Sequence, residues 1–572
     1  MYDILIRGGD LVDGTGSARR RADIGVQGDR VVAIGDLAED AAETIDAAGK
    51  VVTPGFVDVH THYDAQVFWD GALTPSPLHG VTTALAGNCG FTIAPLSDDA
   101  ADGEYLMRML ARVEGMPLES LRAGVPWNWT STAEYFAEID GRLGINAGFM
   151  VGHSAIRRVV MGEDATAREA KPEELDAMQT LLRAGLEAGA LGFSSSWART
   201  HNDAEGHMVP SRFATRDELV DLCSTLSEYE GTSLEFIPMV GPFEPWAVEL
   251  MAAMSAGAKR PLNWNVLGVN AKNLDDAERK LEAGTYAREH GGRVVALTVP
   301  MSFPVYLSFR SGFILDAMPG WEDVMGLPLD EKLKFFDDRA ALAKLDERAQ
   351  SDENGLRTLA NWANLKIHDV VAPENEEYRG RMVGEIAETE GRSAWDVLTS
   401  IARADELNTS FGTVPAPDSD DDWKARIHVW RDRRALIGAS DAGAHLDLLA
   451  SFNYATEVLG KAVRQRRLLP LEEAVNLLTD VPAQLYGVKE RGRVAEGWKA
   501  DLVVLDPETI GSHDVRMRMD LPGGAGRLYA EADGIEHVLV NGTGIVREGK
   551  LTEARSGQLL RSGRDTSTPS LV

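Results

Sequence analysis

The sequence predicts an α/β chain: a (β/α)8 barrel, with a small β domain assembled from both chain ends. Three observations predict it. Strand-like and helix-like runs alternate through the middle of the chain, giving eight strand candidates. Short strands separated by Gly-Asp and Asp-Gly pairs fill residues 1–53, and the same style returns in residues 487–572. Polar residues suited to metal binding or acid–base work fall at the ends of several middle strands, where a barrel builds its active site.

Residues 1–53 form the first part of the β domain, with strands at 4–6, 23–26 and 31–34. Residues 54–486 form the barrel, with strands expected at 57–60, 81–86, 148–151, 191–194, 233–239, 262–267, 293–299 and 436–440. Helices such as 172–188 and 215–230 fall between them. A stretch at about 301–434 separates the last two strands; it holds Trp321, Phe335 and Phe336 and reads as an inserted lid or interface segment. Residues 487–572 supply the second part of the β domain, with strands at 500–506 and 537–540, and a polar tail from Ser556 that is expected to fray.

Composition narrows the function. A chain of 572 residues with 44% apolar content can bury a large core in more than one unit. A formal net charge of −31 repels nucleic acid and anionic membrane, so neither is an expected partner. Two cysteines cannot make a disulfide framework and suit a reducing compartment. Cys223 shares helical spacing with Leu219, Leu222 and Leu226 and reads as core, whereas Cys89, in Gly87-Asn88-Cys89-Gly90, follows a strand. The opening residues 2–9 alternate as a strand and do not resemble a signal peptide, and no apolar run is long enough to span a bilayer. A soluble, cytoplasmic protein is expected.

The chemistry begins at Pro54-Gly55-Phe56-Val57-Asp58-Val59-His60-Thr61-His62. Alternate residues of a strand share a face, so His60 and His62 can grip one ion. Asp441, after the eighth strand, suits the base that takes a proton from an activated water. Cys89 can ligate as a thiolate, and Glu235 can supply an oxygen. His153 and Arg157 after the third strand, and Arg199 and His201 after the fourth, are candidates for substrate binding; an arginine there can pair with a carboxylate. Trp197 and His207 in the fourth-strand loop, and Tyr63, Phe68 and Trp69 after the first strand, would suit a bulky group. Each residue alone has an ordinary reading as turn, cap or core. The weight lies in their coincidence at several strand ends. The run Ser194-Ser195-Ser196 reads as a hydrogen-bonded turn, because no nucleophile-elbow motif surrounds it.

With these residues the chain resembles the amidohydrolase superfamily, as do Ser440-Asp441 and the closing run Gly492-Arg493-Val494-Ala495-Glu496-Gly497-Trp498-Lys499-Ala500-Asp501-Leu502-Val503-Val504. Gly80-Val81-Thr82-Thr83 with Gly87-Asn88-Cys89-Gly90, and Gly152-His153-Ser154-Ala155-Ile156-Arg157, are similar to the N-acyl-D-amino-acid deacylase (D-aminoacylase) group. The resemblance implies a distorted (β/α)8 TIM barrel with a small β-sandwich. It also implies zinc, a cysteine ligand at Cys89 and an acid–base aspartate at Asp441. It implies metal-binding histidines on the fifth and sixth strands as well, yet those strands carry Glu235, Asn263 and Asn265 and no histidine. One Zn2+ held by His60, His62 and Asp441, with Cys89 or Glu235, is therefore expected in place of a bridged pair; another divalent metal would also suit.

The expected function is a metal-dependent hydrolase acting on carbon–nitrogen bonds other than peptide bonds: a deacylase of a linear amide, an N-acyl amino acid. Two alternatives stand beside it. The same site can hydrolyse a cyclic amide, a carbamate, an ester or an activated C–C bond, or the chain can be a metal-poor scaffold. The expected partner is a small-molecule substrate, and the insertion could serve a homo-oligomer interface.

Overall fold

A computed structural model describes residues 1–312 and 314–571. Eight parallel strands form the barrel: Phe56–Asp58, Val81–Ala86, a third strand broken at Met150 into Asn146–Phe149 and Val151–Gly152, Gly192–Ser196, Ser233–Ile237, Leu262–Gly268, Val294–Val299 and Ala435–Ile437. All eight expected strands are present. The ladder divides at Met150 into a three-stranded and a six-stranded sheet, which is the distortion of the barrel. The seam between the eighth and first strands closes at its top, where Asp441 N donates to His60 O at 3.2 Å and His62 N to Ala442 O at 2.7 Å. The first and last strands leave the ladder earlier than the sequence suggests, because their final residues turn into the site.

The strands are buried on both faces and read as near-continuous apolar runs. Val57, Val59, Leu85, Leu191, Leu297 and Leu436 fill the interior. Helices such as Pro172–Glu187, Arg216–Thr225, Pro245–Ala258 and Leu274–Glu289 pack outside. Thr215 caps the second of these by accepting from Glu218 N, and Cys223 lies fully buried on its inner face, as its spacing implies.

Both chain ends build one nine-stranded sheet. Its path runs Lys550–Leu551, Thr543–Arg547, Ile535–Val540, Leu502–Leu505, Val51–Pro54, Tyr2–Leu11, Arg20–Gln27 and Arg30–Gly35, with Ala41–Asp46 also paired to Tyr2–Leu11. Tyr2–Leu11 pairs first with Ala41–Asp46 and then with Val51–Pro54, so the sheet branches around its own core of Ile6, Ile24, Val52, Leu502 and Leu539. Gly55 joins this sheet to the barrel; a Cβ there would lie 2.0 Å from Thr82 Oγ1, so only glycine fits. A buried polar junction ties the same region: Asp501 accepts from Asn146 Nδ2 at 3.0 Å and Asn541 N at 2.7 Å, and pairs with Arg491.

The stretch between the seventh and eighth strands folds mostly around a second core of Phe309, Trp321, Phe336, Trp362, Trp395 and Phe411. A three-stranded sheet, Tyr306–Leu307, Ser410–Gly412 and Lys366–Asp369, supports it. Helix Asp420–Trp430 belongs instead to the barrel core through Trp423, Ile427 and Trp430.

The expectation of a frayed tail fails. Leu559 and Leu560 are buried, Leu560 N donates to Ala147 O at 2.8 Å, and Leu560 packs inside the barrel. Two apolar side chains and paired backbone groups outweigh the polar character of their neighbours. Among the described residues no helix is long and apolar enough to cross a membrane.

Candidate metal centre

Four of the residues singled out in the sequence converge at the barrel mouth. Cys89 Sγ lies 3.5 Å from His60 Nε2 and 3.9 Å from His62 Nε2. Asp441 Oδ1 lies 3.1 Å and 3.7 Å from the same two nitrogens. The ligand atoms of His60, His62 and Cys89 all fall within 4.8 Å of one another, and all three residues are buried. The Asp441 side chain is 32% exposed, so it faces both the cluster and the open mouth.

Local structure fixes this aim. Asp441 sits in the left-handed region at φ 51°. Ser440 holds the turn: its Oγ donates to Asp58 Oδ2 at 2.6 Å and accepts from Ala442 N at 3.1 Å. Glu114, beyond helix Ala100–Val113, places Oε1 3.6 Å from His62 Nδ1. Asn265 Nδ2 lies 3.1 Å from His60 Nε2 and 3.8 Å from Cys89 Sγ. Glu235 Oε2 accepts from Cys89 N at 2.7 Å, so this carboxyl meets the cluster through the cysteine backbone.

Burial shapes the electrostatics. It pushes up the carboxyls of Asp58 and Asp64 to about 7 and of Glu235 to about 8. It also pushes up the Cys89 thiol, with Glu235, Glu114 and Asp441 adding to the effect. Burial works against the charged form of His62 as well, but Glu114 and Asp441 raise it to about 9. At His60 burial wins and lowers the pKa. Burial alone would raise Asp441, but the hydrogen bonds and charge of His60 and His62 hold it well below the usual carboxylate range. His60 Nδ1, Glu235 Oε1 and Asn265 Oδ1 are buried with no hydrogen-bond partner among the described residues. Convergent nitrogen, sulfur and oxygen donors and crowded acids fit a divalent cation, which favours thiolate and carboxylate forms.

The substrate-binding candidates divide. His201 stays near the mouth: its Nδ1 is 2.7 Å from Ser196 Oγ and its ring stands against Phe91. Burial, reinforced by His445 and His62, lowers its pKa to about 3, so its ring is neutral. Arg199 is exposed on the same loop. His153 and Arg157 are corrected, because both are fully buried. His153 bridges Ser195 Oγ at 2.8 Å and Glu218 Oε1 at 2.9 Å, and Arg157 Nη1 meets Glu218 Oε2 at 2.6 Å. Glu218 sits on a barrel helix, and the sequence offers no sign that it would claim both. The first-strand aromatics also turn inward: Tyr63 hydroxyl bonds Ser76, and Phe68 stacks on Trp129. Trp197 packs with Phe236 and Trp246.

Sequence reading missed Glu114 and gave Asn265 too little weight. Nothing in the spacing marks Glu114, which reaches His62 from the end of the helix that follows the second strand. Asn265 had a signal in its position on the sixth strand.

A family model described as the amidohydrolase family matches residues 43–546. An uncharacterised protein of Mycobacterium tuberculosis is 31% identical, with the match covering 98% of this chain and 96% of that protein. A D-aminoacylase of Alcaligenes xylosoxydans xylosoxydans is 29% identical over 98% of this chain and 97% of its own length. The crystal structure of N-acyl-D-glutamate deacylase from Bordetella bronchiseptica, complexed with zinc and a phosphonate mimic of the tetrahedral intermediate, superposes with a TM-score of 0.63. It is 28% identical and covers 98% of this chain and 100% of its own.

Proposed function

The chain belongs to the amidohydrolase family, and from that premise we propose that it is a metal-dependent deacylase of an N-acyl amino acid. The observation that carries the reading is the meeting of His60, His62, Cys89 and Asp441 at one point of the barrel mouth. These four residues would hold one zinc ion. Bound there, the ion would acidify a water and polarise the scissile carbonyl.

The remaining work falls to the chain. Asp441 stays ionised and part exposed, so its carboxylate can take the proton of the attacking water and deliver it to the leaving amine nitrogen. Glu114 orients the His62 ring from its Nδ1 side. His201, neutral at the mouth, offers a hydrogen bond to the acyl group, and Arg199 offers a charged partner to the substrate carboxylate.

The test is a panel of N-acyl D- and L-amino acids, assayed for released amine with zinc-loaded protein. Release from at least one member is expected. No release from any of them would remove the reading. Turnover confined to cyclic amides, carbamates, esters or activated C–C bonds would move the function to a different bond on the same site.

A further inference from the structure

We propose that Ser194 and Glu235 are positioning residues that clasp the Cys89 turn and aim its thiol, with Glu235 acting through Cys89 and not on the ion. The proposal rests on the reading of the cluster as a metal site.

The turn that presents Cys89 is strained. Gly87, Cys89 and Gly90 have φ of 78°, 59° and 78°. A non-glycine residue is disfavoured in the left-handed region, so its neighbours must hold it there. Ser194 bridges the turn from end to end: its Oγ donates to Gly87 O at 2.5 Å and accepts from Gly90 N at 3.0 Å. Glu235 holds the middle, accepting from Cys89 N at 2.7 Å. Asn88 pins the remaining residue by donating from Nδ2 to Thr61 O and Leu85 O, each at 3.0 Å.

Register explains how two strands reach one turn. Ser194 and Glu235 are direct partners in the parallel pairing of the fourth and fifth barrel strands, so their side chains project to the same face of the sheet. Both are buried. A carboxyl oxygen accepting this amide N–H at 2.7 Å fixes the cysteine backbone, hence the direction of Sγ. Glu235 commits Oε2 to Cys89 N.

Cobalt(II) titration of the metal-free protein tests the clasp, reading the thiolate-to-cobalt charge-transfer band together with affinity and bound-metal stoichiometry. Glu235→Gln keeps an acceptor for Cys89 N–H. It should retain the band, with affinity within about threefold of the parent. Ser194→Ala should weaken the band and lower affinity roughly 10- to 100-fold, as loss of an orienting partner does, and Ser194→Thr should restore most of both. Glu235→Ala should resemble Ser194→Ala; if it fails to fold, the other variants still decide.

Equal damage from Glu235→Gln and Glu235→Ala would overturn the proposal by making the carboxylate a direct ligand. A Ser194→Ala protein identical to the parent would remove the clasp. A parent chain that takes up no cobalt would fail earlier, at the metal reading itself.

Discussion

At the scale of residues, the site separates proton transfer from metal retention. Asp441 Oδ1 faces both histidine nitrogens while its side chain remains part exposed, so one carboxylate serves the cluster and the substrate. Asp441→Asn keeps the shape and an oxygen donor but cannot accept the proton. Its kcat should fall by roughly 10²- to 10⁴-fold, with unchanged circular dichroism and metal still present by elemental analysis. Near-parental turnover would show that another group is the base. His60→Ala should behave differently. It removes a nitrogen that sits 3.5 Å from Cys89 Sγ and 3.1 Å from Asp441 Oδ1, so bound metal should be lost first, and excess zinc should restore little activity. The pair of variants therefore distinguishes base from ligand by two measurements, turnover and metal content.

At the scale of elements, the barrel was legible because its strands are apolar runs that end in polar residues. His60, Cys89 and Asp441 each follow such a run, and each reaches the cluster. Three features escaped for a common reason: their partners are remote in sequence. Glu114 meets His62 from beyond a helix, Glu218 claims His153 and Arg157, and the tail inserts beneath the barrel. A residue pattern reports which face is apolar, not which distant group arrives to satisfy it. The tail is the sharpest case. The run from Ser556 reads as polar thread, yet Leu560 within it is fully buried among Leu85, Leu191 and Leu436. Leu560→Ala should cost about 2–5 kcal/mol by loss of buried surface and the cavity left behind, seen as a lower denaturant midpoint. A change within about 0.5 kcal/mol, the range of surface substitutions, would mean that the tail does not support the barrel.

At the scale of the whole molecule, stability depends on contacts that join distant parts of the chain, and one of them titrates. His79 is fully buried before the second barrel strand. Its Nε2 lies 3.1 Å from Ala530 O and its Nδ1 2.7 Å from Thr456 Oγ1, partners 451 and 377 residues away. A carbonyl only accepts, so Nε2 carries the proton of the neutral ring. Burial lowers the pKa from 6.5 to about 4. The folded-state pKa is depressed, so the unfolded chain binds the proton more readily between these values. Stability from this group is complete above pH 6.5, falls as pH drops, and is fully lost once pH passes below about 4. The loss amounts to ~3 kcal/mol. Denaturant unfolding of the parent and of His79→Gln, followed from pH 7.5 to 4, should show the parent's advantage shrinking by about that amount, because glutamine cannot take up the proton. Curves that stay parallel over this range would place the acid sensitivity elsewhere and leave His79 with a packing role alone.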